Sequence, residues 1–179
     1  MATTRVPAVE GWLSMPPDDV PFPADGSGVP GITLLGTRCV DSGTYFFPPE
    51  RVMSRAPGYA DSELVDVTLS TTGTLWSYTD AQYQPPEPFV AATEPYQPFC
   101  LAAVELAEEK MVVLGQVVAG IGVDDLRVGM QMELVADVLN EDDEHTYVMW
   151  KWRPPAQRTG AHTSELPSPP VTSYSVFWL

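Results

Sequence analysis

CLAAVELAEEKMVVLGQVVAG, residues 100–120, decides the fold because it admits two readings. LAAVELAEEK has the composition of a helix. The second half is dominated by β-branched residues, and Gly115 would interrupt a helix. The run therefore reads as two strands, CLAAVELA (100–107) and KMVVLGQVVAG (110–120), reversing across Glu108–Glu109.

Strand patterns continue on both sides of this hairpin. Downstream lie MQMELVADVLN (130–140), an acidic turn at Glu141–Glu144, and HTYVMWKWRP (145–154). Upstream lie ELVDVTLS (63–70), a turn read at TTG, and TLWSYTDAQY (74–83), followed by the Pro-rich connection QPPEPF…EPYQPF. At least five strands punctuated by turns point to a closed or nearly closed antiparallel barrel. The 19 Pro and 13 Gly argue against a helical bundle.

Ahead of the barrel, ITLLGTRC, DSGTYFF and PPERVMSRAPGYADS suggest a small hairpin unit around Cys39 and Gly43. The predicted organisation is an N-terminal arm over 1–31, the hairpin unit over 32–62, the barrel over 63–154, and a linker with an apolar tail over 155–179. That tail ends in VTSYSVFWL (171–179) and reads either as a segment folded back on the barrel or as a hook for a partner.

The 44% hydrophobic fraction is compatible with a packed core, while the net charge is −15, from 9 Lys+Arg against 24 Asp+Glu. Such a charge repels phosphate backbones and anionic membranes, which argues against nucleic-acid and membrane partners. Two cysteines, Cys39 and Cys100, do not make a disulfide scaffold. Residues 1–20 lack a basic region followed by an apolar run, and the longest apolar stretches are too short to span a bilayer. A cytoplasmic location is the expectation.

Catalytic machinery is not legible. His145 follows the acidic turn and His162 lies in the linker, both reading as exposed loop histidines. Asp124–Asp125 and Glu141–Glu144 read as solvated turn residues, and Cys100 as a buried structural thiol. No phosphate-binding glycine motif is present. The distinctive feature is aromatic: Trp76, Tyr78, Tyr83, Phe89, Tyr96 and Phe99, interleaved with prolines. Trp76 and Tyr78 are expected on one strand face by the period of two. The set reads as core or partner interface, with ligand contact as the alternative.

The segments GTRCVDSGTYFFPPE, GTLWSYTDAQYQPPEPF, LAAVELAEEKMVVLGQVV, LRVGMQMELV and WKWRP, in that order, resemble the acyl-CoA-associated proteins that join a rubredoxin-like zinc ribbon to an OB-fold barrel. The resemblance spans residues 33–154. It implies a mainly β protein: an OB-fold barrel preceded by a ribbon-like hairpin unit. It also implies a non-catalytic accessory subunit of a thiolase or thiolase-like aldolase, with steroid or lipid side-chain degradation as the setting. The alternatives are an accessory subunit of an acyl-CoA hydratase or a stand-alone acyl-CoA-binding protein. An OB-fold nucleic-acid binder ranks lower.

The sequence departs from that family at the ribbon. Cys39 stands at the first knuckle, but its C-x2-C mate is Ser42, and the second knuckle falls on Ser54 and Tyr59. One thiol cannot hold a structural zinc, so no metal is expected, and packing by Tyr45, Phe46 and Phe47 would have to hold the unit. No cofactor is assigned to this chain alone; a coenzyme A thioester is the expected ligand of the complex. Candidates for acyl-CoA or partner contact are Arg38, Arg51, Arg55, Trp76, Tyr78, Tyr83, Phe89, Phe99, Phe177 and Trp178.

Overall fold

The computed structural model describes residues 3–84, 86 and 95–155. Among these, ten strands and one 3₁₀ turn form two sheets, with no α-helix. The hairpin that carried the sequence argument is present as β7 (Phe99–Leu106) and β8 (Met111–Val117), paired antiparallel from Leu101↔Gln116 to Leu106↔Met111.

Five strands close the barrel: β6 (Thr72–Ala81), β7, β8, β10 (His145–Arg153) and β9 (Gln131–Glu141). β9 closes the circuit by pairing with both β10 and β6. Among these five strands all ladders are antiparallel except β8–β10, which is parallel at Lys151↔Gln116 and Trp152↔Val117. Counted within the barrel, the order is first, second, third, fifth, fourth and back to first, which is the OB-fold circuit. Leu75, Val104, Leu106, Met132, Val148 and Trp152 fill its interior. The 3₁₀ turn η1 (Val123–Asp125) precedes Leu126, which is fully buried in that core.

The β8–β10 ladder reaches only the second half of β10. The first half is covered by β1 (Thr4–Pro7), paired parallel from Thr4↔His145 to Pro7↔Val148. The start of the N-terminal arm is thus built into the barrel wall. The arm then crosses β9 through the bridge Val29↔Ala136, where Gly28, at φ +72, packs against Val135.

The second sheet centres on β3 (Thr33–Cys39). β2 (Leu13–Ser14) and β4 (Tyr45–Phe46) pair with successive parts of β3, while β5 (Leu64–Thr68) pairs along Leu35–Cys39. Two readings are corrected here. ELVDVTLS, expected as a barrel strand, is β5 of the small sheet, because its partner is β3. TTG is not a turn: Thr72 and Gly73 lie inside β6, opposite Glu133 and Met132. Gly73 is required by close approach, since a Cβ there would meet the Glu105 carbonyl oxygen at 2.5 Å.

Candidate partner-docking face

On β7 the side chains alternate strictly. Cys100, Ala102, Val104 and Leu106 point into the core, while Leu101, Ala103 and Glu105 point outward. On β8, Val113 and Val117 are buried, and Val112 and Leu114 stand 45% and 58% exposed. The register puts Ala103 between Ser77 of β6 and Leu114 of β8, and Glu105 between Thr74 and Val112. Leu101, Ala103, Val112 and Leu114 therefore line one open sheet face. Trp76 stands beside it, 61% exposed.

Trp76 reaches that position through a β-bulge. Leu75 pairs with Val104 and Ser77 with Ala103, leaving Trp76 as the unpaired extra residue. A bulge shifts the alternation by one. Leu75 before it is fully buried, and Tyr78 after it packs against the core. Trp76 and Tyr78 consequently do not share a face, which corrects the period-two expectation. Tyr83, beyond the end of β6, is 81% exposed.

Phe99, two residues before Leu101, has the same outward parity at the start of β7. It makes an edge contact with Tyr96, ring centroids 6.3 Å apart, and lines a cavity of about 300 Å3 with Cys100, Val117, Ile121, Leu139 and Lys151. Lys151 Nζ donates to Asp137 Oδ2 at 2.7 Å, a largely buried pair. Burial, then the charges of Asp80 and Asp125, push the Cys100 thiol up, which disfavours it as a nucleophile. Phe89, Phe177 and Trp178 lie outside the described residues.

The three arginines gather at the small sheet, each with a partner there. Arg38 stacks over the Tyr45 ring, 5.7 Å from its centroid. Arg51 pairs with Asp66 at 2.8 Å, and Arg55 pairs with Glu50. The acidic turn is self-contained. The Glu144 and His145 backbone N–H groups and the Tyr147 hydroxyl donate to Asp142, holding its carboxyl below the usual range.

Cys39 is fully buried at the centre of a serine cluster. Its Sγ donates to Ser62 Oγ at 3.2 Å. Burial is the largest single influence and pushes the thiol up. Hydrogen bonds from Ser42, Ser54 and Ser62 together outweigh it and bring the thiol to about 6. The third hydroxyl at the thiol is that of Ser62, not Tyr59. Two successive turns, Tyr59 N to Ala56 O and Ser62 N to Tyr59 O, carry Tyr59 outward to 43% exposure. One thiol and three hydroxyls do not fit a tetrahedral zinc, whose structural sites use thiolate and imidazole donors.

Packing joins the small sheet to the barrel. Trp12, Phe47 and Trp150 form a triangle, with centroids 5.8, 5.7 and 6.4 Å apart. Tyr45 and Phe47 pack against the barrel core.

With the OB circuit in place, comparison with known proteins is informative. The family model for the C-terminal OB-fold domain of ChsH2 matches residues 66–137. That segment belongs to the ChsH2-type OB-fold family. A DUF35 domain-containing scaffold protein of Methanocaldococcus jannaschii is 27% identical over 120 residues, covering 67% of this chain and 79% of that protein. A solved structure titled Ltp2-ChsH2(DUF35) aldolase is 30% identical, covering 68% of this chain and 84% of that one, with a TM-score of 0.48.

In this ChsH2-type barrel, the open apolar face is the feature that sequence reasoning missed, apart from Trp76. A signal was present: residues 100–104 and 111–114 are apolar at both odd and even positions. A strand apolar on both faces calls for a second cover. Among the described residues, no helix is long and apolar enough to cross a membrane.

Proposed function

We propose that this chain is an accessory subunit that docks on a thiolase-like acyl-CoA enzyme, a thiolase or retro-aldolase, through the outer face of β7–β8. The observation that carries the reading is the row Leu101, Ala103, Val112 and Leu114 beside the bulged Trp76. OB-folds use the face of their second and third strands for ligands. Here that face offers apolar side chains where a nucleic-acid binder needs cations. Contiguous exposed apolar surface of this kind marks a protein interface. The family match and the scaffold name of the Methanocaldococcus jannaschii relative support a companion role.

The coenzyme A thioester belongs to the complex in this reading. Arg51 and Arg55 are already paired with carboxylates, so the enzyme partner supplies most of the phosphate contacts. Steroid or lipid side-chain degradation is the proposed setting, and the cytoplasm the proposed location.

Affinity co-purification from the native organism, with bound proteins identified by mass spectrometry, tests the reading. A stoichiometric thiolase-like companion is expected, and Leu114→Asp should abolish its recovery while leaving the fold intact. Recovery of the wild-type chain alone at near-physiological salt would sink the proposal.

A further inference from the structure

Among the described residues, a carboxylate oxygen lies buried without a partner in a groove between the two sheets. Glu109, in the turn joining β7 to β8, is 7% exposed. Its Oε1 accepts the Ser70 backbone N–H at 2.6 Å, while Oε2 has no hydrogen-bond partner. An unsatisfied buried carboxylate oxygen is costly. Glu109 also lines a cavity of about 690 Å3, with Leu35, Tyr45, Val67, Leu69 and Glu108 among its walls. The cation within the groove, Arg51, is committed to Asp66 on the rim. Lys110, next in the chain, sits at φ 54 and is exposed.

We infer that this groove receives a lysine or arginine side chain from the enzyme partner, an inference that rests on the docking reading above. The chemistry matches at both ends. Leu35, Val67, Leu69 and the Tyr45 ring can cover the methylenes, and Glu109 Oε2 can accept from the cationic head. Charge complementarity selects a basic occupant, because Glu108, Glu109 and Asp66 face the groove and Arg51 offsets only one of them. The volume exceeds one side chain and leaves room for the partner loop that carries it. The site is also continuous with the docking face. Glu108 and Glu109 close the same hairpin, and Val112 and Tyr45 share the adjoining cleft.

Two arms test the inference on the full chain. In the first, n-butylguanidinium and n-butylammonium are titrated in, with n-butanol as the neutral control, and the Glu109 carboxyl carbon resonance is followed. A saturable shift with either cation and none with butanol is expected. Absence of a cation-specific shift overturns the site. This arm needs no partner and no mutation, so its failure is distinct from failure of the docking reading. In the second arm, Glu109→Gln is compared with wild type in the recovered complex. The variant keeps the acceptor for Ser70 and loses the charge. Binding should weaken at least about tenfold and lose part of its salt dependence. Equal affinity overturns the proposal, as does an equal salt response. Should the variant fold poorly, the wild-type Glu109 resonance is followed at fixed pH with and without the partner. It should move on binding in the direction the small cations move it. An unmoved resonance overturns the site.

Discussion

Gly115 shows how little freedom the barrel wall has at its tightest point. An added Cβ would meet Trp150 Nε1 and Trp152 Cδ1, both at 2.9 Å. Trp150 cannot readily withdraw, because its Nε1 donates to the Leu114 carbonyl at 3.1 Å. Gly115→Ala should therefore destabilise the protein by about 1–3 kcal/mol, read from the midpoint of denaturant unfolding. An unchanged midpoint would show that the indoles yield. Cys39 makes a second prediction. Its folded-state pKa, about 6, is lowered from 9.0. The folded state thus binds fewer protons over that interval. The stability this contributes is fully present above pH 9.0 and is lost as the pH falls through about 6. The difference between wild-type and Cys39→Ser melting profiles should shrink over that window, because a serine hydroxyl does not ionise there. Parallel profiles would contradict it. The sequence was informative about parts of this cluster. Cys39, Ser42 and Ser54 were grouped by the family resemblance, whereas Ser62 arrives through two turns that the resemblance did not indicate.

Strand composition was a good guide to the hairpin β7–β8, and to β3, β9 and β10, because each carries several apolar, aromatic or β-branched residues between turn signals. It failed where pairing overrides local pattern. ELVDVTLS looks like any barrel strand, and only its ladder with β3 assigns it elsewhere. TTG looks like a turn, yet Gly73 is there to let the Glu105 carbonyl come near. The bulge at Trp76 reversed the predicted facing of Tyr78, and a single extra residue leaves no compositional mark. The short β1 was invisible for the same reason: four residues, TRVP, carry no periodicity. Its role is nevertheless testable. Removing residues through Pro7 should speed hydrogen exchange at the amides of the first half of β10 that face β1. The second half, held by β8 at Lys151 and Trp152, should keep its protection. Equal protection in both halves of the truncated chain would mean that β1 does not cover the edge.

At the scale of the molecule, the aromatic triangle decides whether two sheets behave as one. Trp12 comes from the N-terminal segment, Phe47 from beside β4, and Trp150 from β10. Each ring pair adds about 0.5–1.5 kcal/mol beyond area burial. Wild type should show coincident unfolding by tryptophan fluorescence and far-ultraviolet circular dichroism. In Trp12→Ala, the two midpoints should separate as the small sheet loosens first. Coincident transitions in the variant would place the coupling elsewhere. The overall β class was readable in the sequence because strand composition spans most of the chain. The triangle was not, since its members lie far apart and meet only after closure.

The pairing of β1 with β10 also bears on how the protein is made. Thr3 and Thr146 lie side by side although 143 residues separate them. During synthesis the segment that becomes β1 leaves the ribosome early, yet its partner strand is among the last of the described elements to emerge. Until then neither edge has its mate, and contacts of such long range are slow to form. Completion of the barrel wall is therefore expected as a late event in biogenesis, when a nascent chain would gain most from a chaperone or from a partner already in place.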